Sequence, residues 1–297
     1  MKILCYHGII HKKKKGAANF ALKHIEKKTF IKQIKYLKKN ANIISMDEVC
    51  YNISNKIKFK KNSVCITFDD GFENNFKIAC PILKKYKIPT LFYLCPEIIS
   101  KKYFFWVDII EICLLNTKEK FITIKKNNKY FLNNIKNKKK AVIKMKKYCK
   151  SIDDSKKNKV IMSIIVQSKV NYKKYINQDI YKPASWSQIK KVLNSNLFQI
   201  GGHSLQHSLL TKKSKTQMTK DIKETIKIIK KKTNIRVKYF SYPEGKFNES
   251  IINVMKNNKI VSSPIATSGT NSVNTNLFKL KRYMVGFSGI KFPVVIN

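Results

Sequence analysis

The residues best able to do chemistry fall in two short clusters. Asp69 and Asp70 are adjacent, between an apolar run and Gly71. Two neighbouring carboxylates at the end of such a run suit a metal site, where one ligates while the other handles protons. The same pair would also serve as the cap and first-turn acid of a helix. His203 and His207 lie four residues apart, just past Gly201 and Gly202. Across one helical turn or a tight loop, that spacing can aim both rings at one ion. The chain has only five histidines, so two at ligand spacing carry weight. The four residues together supply three ligands and a carboxylate base, the minimum for a hydrolytic metal centre with open positions.

Short apolar runs must position these groups. The run at 3–6 ends at His7 and Gly8, and Ser63–Phe68 ends at Asp69, Asp70 and Gly71. Thr90–Leu94 stops near Pro96, 197–200 ends at Gly201, Gly202 and His203, and 237–240 ends at Ser241, Tyr242 and Pro243. Each run has strand length and a β-branched or aromatic bias. Helical patterns at 30–39, 76–86 and 219–232 lie between them, so parallel strands joined by helices are expected. Polar residues recur just past the strand ends, where (β/α) barrels build their sites. An open doubly wound sheet would do the same, but several strands contributing to one site favour the barrel. Five of the nine glycines (Gly8, Gly71, Gly201, Gly202 and Gly245) fall at these ends, which suggests tight turns or close backbone approach there.

The chain of 297 residues reads as a single catalytic domain over 1–297, with an insertion at about 107–183. No glycine occurs between Gly71 and Gly201, and 118–159 is strongly lysine-rich. A mostly helical loop elaboration is expected there.

The formal charge is +45, yet all but two of the 62 basic residues are lysine, the exceptions being Arg236 and Arg282. With abundant Asn and Ile, that is the bias of an A/T-rich coding sequence. Base readers favour the arginine fork, so no specific nucleic-acid partner is expected. A solvated lysine surface is the plainer reading, and an anionic membrane leaflet is a partner as plausible as nucleic acid. No apolar stretch approaches transmembrane length. His7 comes too early for a signal-peptide core, so the cytoplasm is the expected compartment, with peripheral membrane contact. The seven cysteines form no CxxC pair and read as buried thiols.

The set Thr67-Phe68-Asp69-Asp70-Gly71, His203-Ser204-Leu205-Gln206-His207 and Phe240-Ser241-Tyr242-Pro243-Glu244-Gly245 resembles the polysaccharide deacetylase family with NodB homology (carbohydrate esterase family 4), in its Phe-x-Tyr-Pro branch. Tyr6-His7-Gly8 and the run at 81–90 look like the same family. The resemblance covers roughly 3–96 and 183–285. It implies a distorted (β/α) barrel, a divalent metal, and hydrolysis of acetyl groups on sugars. By similarity Asp70, His203 and His207 match the metal ligands and Asp69 the catalytic base. The resemblance also implies that the N–H meeting the oxyanion belongs to the turn of Tyr242, Pro243, Glu244 and Gly245. Zinc is the metal expected, with cobalt, nickel or manganese as alternatives. The expected substrate is an N-acetylated sugar of a surface glycan, a glycolipid or a lipid-linked precursor. A non-catalytic lysine-rich binding protein on a decayed barrel, bound to an anionic membrane or nucleic acid, is the alternative from another class.

Two departures from the family pattern matter. Ser241 stands where the third motif often carries a base-orienting arginine, and Arg282 is the expected replacement. No Leu-x-His occurs near the C-terminus, so His7, past the first strand, is assigned as general acid; a structural hydrogen bond to a neighbouring loop is its competing role. Trp106 is expected in the substrate cleft and Trp186 in the core. His11 and His24 lie outside any motif and are expected to be solvated.

Overall fold

The computed structural model describes residues 1–12, 14, 16–124, 128–286 and 292. Its elements run in the order β1 (Lys2–Tyr6), β2 (Gly8–Ile10), β3 (His24–Glu26), α1 (Lys27–Asn40), β4 (Asn42–Ile43), α2 (Met46–Ser54), β5 (Ser63–Phe68), α3 (Cys80–Lys85), β6 (Thr90–Leu94) and α4 (Pro96–Lys101). Then come α5 (Trp106–Asn116), β7 (Phe121–Thr123), β8 (Lys129–Phe131), α6 (Ile135–Ser151), α7 (Asp154–Ser168), α8 (Trp186–Leu193), β9 (Phe198–Gly202), α9 (Lys215–Thr233), α10 (Glu249–Asn257) and β10 (Tyr283–Met284).

The main sheet is parallel, in the order β10-β1-β5-β6-β9, with β4 on the start of β5. Past β9 it continues through single parallel bridges, Gly202 to Phe240, Tyr239 to Ser262 and Pro264 to Leu280, and β10 returns to β1 at Leu4 and Tyr283. The ring therefore closes as a distorted (β/α) barrel, with irregular segments standing for strands on one side. Every residue of β5 is buried, as befits a strand covered on both faces.

The helices follow from local chemistry. In α9, Ser214 and Gln217 form a capping box, Asn234 ends the helix in the left-handed conformation, and lysines fill the last turn. Its Met218, Ile222, Thr225 and Ile229 recur at helical spacing and are buried against the barrel.

Between β6 and α8, helices α5, α6 and α7 enclose a core of their own that includes Trp106, Ile110, Leu114, Val142, Met145 and Ile164. The lysine-rich segment is not helical throughout, because β7 and β8 pair as an antiparallel hairpin with Phe121 opposite Phe131. The aromatic and β-branched residues at 121–123 and 130–131 favour strand there; residues 125–127 of the insertion lie outside those described. All seven cysteines are buried and unpaired.

Two expectations are corrected. Trp106 opens α5 facing inward to the insertion core, where it is only 8% exposed, and borders a groove with Phe104, Ile161 and Tyr172 rather than a substrate cleft beside Asp69 and Asp70. His24 is buried rather than solvated. Strand β3 pairs with β2 and sets it opposite Gly8, with its ring edge-on to Phe72 and Nδ1 3.1 Å from the Asn74 amide nitrogen. A Cβ at Gly8 would meet His24 Nδ1 at 1.8 Å, so glycine is required by close approach. His11 is exposed. Trp186 packs at the edge of the main core and donates its indole N–H to Ser100 Oγ at 3.0 Å.

Candidate metal centre and active site

Strand β5 delivers Asp69 to the barrel mouth, and the chain turns sharply after it. The Gly71 N–H donates to the Asp69 carbonyl at 3.0 Å, and Asp70 has a φ of 76°, a left-handed conformation that a short polar residue tolerates. The loop after β9 is similarly constrained, with φ of 58° at Ser204 and 57° at His207. Ser204 Oγ accepts the Ser208 N–H at 2.9 Å, and Asp221 of α9 accepts the Leu205 N–H at 2.9 Å. Left-handed backbone at two of three converging residues is strain held by surrounding bonds, the kind that collects at functional sites.

These turns bring Asp70, His203 and His207 together. Asp70 Oδ1 lies 3.7 Å from His203 Nε2 and 3.6 Å from His207 Nε2. Those distances are too long for hydrogen bonds. They are close to the separation of about 3.4 Å between two ligand atoms bound to one tetrahedral ion at ordinary zinc distances. Asp70 Oδ1 is buried and has no hydrogen-bond partner among the described residues, a costly state unless something else completes it. The His203 Nδ1–H donates to the Ser241 carbonyl at 2.8 Å, which turns the Nε2 lone pair toward Asp70, as outer partners of metal-bound histidines do. Burial keeps both rings neutral, lowering the pKa of His203 and taking that of His207 to about 4. Burial pushes Asp70 up to about 7, with Lys23 opposing the rise. Two neutral imidazoles and a carboxylate that lacks a partner are a donor set that fits a divalent cation such as zinc.

Asp69 is held differently. Arg282 donates to it through both terminal nitrogens, at 2.8 and 2.9 Å, and to Ser241 Oγ at 3.1 Å. Burial raises the Asp69 pKa, but the charge and hydrogen bonds of the Arg282 guanidinium outweigh it and hold the carboxyl far below the usual range. Adjacent aspartates thus differ sharply in character, one tightly partnered and ionised, the other short of partners. His203 Nε2 is 3.7 Å from Asp69 Oδ2, so the carboxylate stands beside the three-residue cluster. His7 follows β1 into the same cavity near Asp69, and burial lowers its pKa to about 3.

The turn at Pro243–Gly245 closes another side. Tyr242 is buried and donates its hydroxyl to the Phe278 carbonyl at 3.1 Å. Glu244 takes a φ of 55° and Gly245 of 65°. A Cβ at Gly245 would sit 2.3 Å from the Ala266 nitrogen. Tyr242, Glu244 and Gly245 border the cavity, whereas Pro243 is buried within the turn.

The cavity measures about 340 Å³, and its far wall comes from the insertion and the loop before β3. Three ion pairs build that wall. Lys23 meets Asp108 at 2.8 Å, Lys146 meets Glu111 at 2.7 Å, and Lys150 of α6 meets Glu244 at 2.6 Å. Burial disfavours the Lys23 ammonium, but Asp108 and Asp70 outweigh it and raise its pKa. Apart from Glu244, none of these residues stood out in the sequence. One signal was available: in a chain with only 17 acidic residues, Asp108 and Glu111 sit one turn apart beside a lysine-rich segment.

The chain matches the polysaccharide deacetylase family model over residues 56–262 and belongs to that family. Over 87 residues it is 38% identical to the poly-beta-1,6-N-acetyl-D-glucosamine N-deacetylase of Staphylococcus aureus. That stretch is 29% of this chain and spans only 30% of the relative's length. The fold is shared with the Streptococcus pyogenes deacetylase PplD in complex with acetate, at a TM-score of 0.66 and 16% identity, over 100% of this chain and 98% of that one. It is also shared with IcaB from Ammonifex degensii, at a TM-score of 0.65 and 17% identity, over 99% of this chain and 94% of that one. The non-catalytic alternative fits neither the family nor the convergence of Asp69, Asp70, His203 and His207.

Proposed function

We propose that this protein is a metal-dependent deacetylase that removes N-acetyl groups from an amino sugar in a polysaccharide or its precursor. The observation that carries the reading is the separation of roles between Asp69, clamped and ionised, and the neighbouring Asp70, His203 and His207, which converge without bonding one another. Asp70, His203 and His207 would hold the metal, with zinc the ion that best suits two imidazoles and a carboxylate. When bound, such an ion lowers the pKa of a coordinated water and polarises a carbonyl.

The chain's own residues do the rest. Asp69 accepts the proton of the attacking water, and Arg282 keeps it ionised and aimed. A carboxylate of such low basicity is a weak base, which is why it needs an acidified water beside it. Within the turn, the N–H groups of Gly245 and Lys246 are already given to the carbonyls of Tyr242 and Pro243. Since proline has none, the N–H of Tyr242 or Glu244 is left to meet the developing oxyanion. His7 starts neutral, so it donates only after receiving a proton, and Asp69 is the neighbour placed to supply it. His7 then protonates the leaving amine.

Poly-N-acetylglucosamine is the first polymer to test, since it is named for the Staphylococcus aureus relative. Acetate release from a panel of N-acetylated oligosaccharides, lipid-linked sugars and O-acetylated controls tests the reading. Release from none of them would reject it. We further propose a cytoplasmic protein in peripheral contact with an anionic membrane; the lysine-rich surface supports the membrane contact, and fractionation of expressing cells would test both.

A further inference from the structure

The ion pair between Lys23 and Asp108 has no part in the mechanism above, yet it sits in the catalytic cavity wall. Asp108 is 2% exposed, and Lys23 occupies only its Oδ1. Its Oδ2 is buried with no hydrogen-bond partner among the described residues. Lys23 is itself fixed, its ammonium 4.6 Å from the Phe72 ring centre and 5.8 Å from that of Phe105. One carboxylate oxygen is therefore held at a defined place with its accepting capacity unused. An unfilled buried acceptor is costly, and native sites leave one chiefly where a ligand or water completes it.

We propose that Asp108 is a substrate-binding residue whose Oδ2 accepts a hydrogen bond from a ring hydroxyl of the acetylated sugar. This rests on the deacetylase reading given above. An ionised carboxylate is an acceptor only, and a neutral glycan offers hydroxyl donors at several ring positions. The amide of the same sugar is committed to presenting its carbonyl carbon near Asp69. Asp108 lies in the first turn of α5, so the insertion supplies a specificity contact to a site whose reacting groups all come from the barrel. Burial raises the Asp108 pKa, and the ion pair with Lys23, which also borders the cavity, opposes that rise and favours the ionised acceptor.

The test is a cycle between protein and substrate. Wild type and Asp108→Asn are compared on a 1,6-linked N-acetylglucosamine oligomer and on its 3-deoxy and 4-deoxy analogues, with kcat and KM from acetate release and Kd from calorimetry. A hydrogen bond to a charged group is worth roughly 10- to 150-fold. Wild type should lose that factor in Kd and KM on one deoxy analogue, and Asp108→Asn should lose a comparable factor on the parent but little more on that analogue. The double variant Lys23→Met, Asp108→Leu removes both charges without stranding the ammonium and should show the same insensitivity. Equal sensitivity of wild type and variants to every deoxy change would overturn the proposal and make the pair purely structural. Binding with an intact cycle but no acetate release would reject the deacetylase reading and leave the Asp108 contact standing. No binding of any oligomer would overturn both.

Discussion

Asp69 and Arg282 are 213 residues apart in the chain and meet through two hydrogen bonds, of 2.8 and 2.9 Å, with Arg282 1% exposed. A planar fork matched to a carboxylate fixes direction as well as charge. Ser241 completes the arrangement by accepting from Arg282 at 3.1 Å. The small Ser241 side chain thus leaves room beside Asp69 for an arginine arriving from the C-terminal segment.

Replacing that arginine separates its two contributions. Arg282→Lys keeps a charge but not the fork, so kcat should fall roughly 10- to 100-fold through misplacement of Asp69, with metal content unchanged. Arg282→Ala leaves a buried carboxylate unpaired and should cost about 3–5 kcal/mol of stability. Thermal unfolding beside acetate-release kinetics checks both, and an alanine variant as stable as wild type would contradict the clamp.

His7→Ala should bind metal normally and lose roughly 10²-fold or more in kcat on an amide substrate. An O-acetyl ester should suffer less, since an alkoxide leaves with less help than an unprotonated amine. Equal rates for wild type and variant on both substrates would transfer the whole proton cycle to Asp69.

Metal affinity should depend on pH through Asp70. Burial raises its pKa from 3.8 to about 7, and a metal binds only the deprotonated form. Affinity should therefore rise about tenfold per pH unit between about 5 and 7 and level off above that. In the metal-free protein the sign is opposite. A raised folded-state pKa favours the fold at low pH, so that share of stability is fully present below about 4 and is gone once pH passes about 7. Calorimetric titrations in buffers of different ionisation enthalpy count the released proton. A pH-independent affinity between 5 and 7 would refute the assignment.

Gly8→Ala places a methyl group 1.8 Å from His24 Nδ1 and 2.9 Å from Asn74 Oδ1. Neither neighbour is loose, since Asn74 also donates to the Asp179 carbonyl at 2.7 Å. A loss of roughly 1–3 kcal/mol is expected from the overpacking, measurable by urea unfolding. An unchanged midpoint would show that the β2–β3 pair is not as tight as described.

Much of this architecture was legible because it is written locally. The run at Ser63–Phe68, followed by two carboxylates and a glycine, carries both a buried strand and a turn in nine residues. Arg282 drew notice because Ser241 leaves the base-orienting place without an arginine, in a chain whose basic residues are otherwise almost all lysine. What stayed hidden depends on long-range pairing. Lys23 and Asp108 are 85 residues apart and share no periodic pattern, so nothing local marks them as partners. His24 lies in a three-residue strand, too short to show alternation, and its burial follows from pairing with β2. Trp106 looked like a sugar platform because its neighbours were read without the insertion core that encloses it. The hairpin of β7 and β8 was masked by surrounding lysines that favour no strand.

The central claim is that adjacent aspartates divide the work, with Asp70 holding the metal and Asp69 moving the proton. The most direct measurement is metal content and acetate release on the same preparations of wild type, Asp69→Asn, Asp70→Asn, His203→Ala and His207→Ala. Wild type should hold close to one zinc per chain and release acetate. Asp70→Asn and both histidine variants should lose most of the metal and the activity together. Asp69→Asn should keep its metal and lose the rate. An Asp69→Asn protein as metal-free as the histidine variants, or an Asp70→Asn protein with full metal content, would contradict the division.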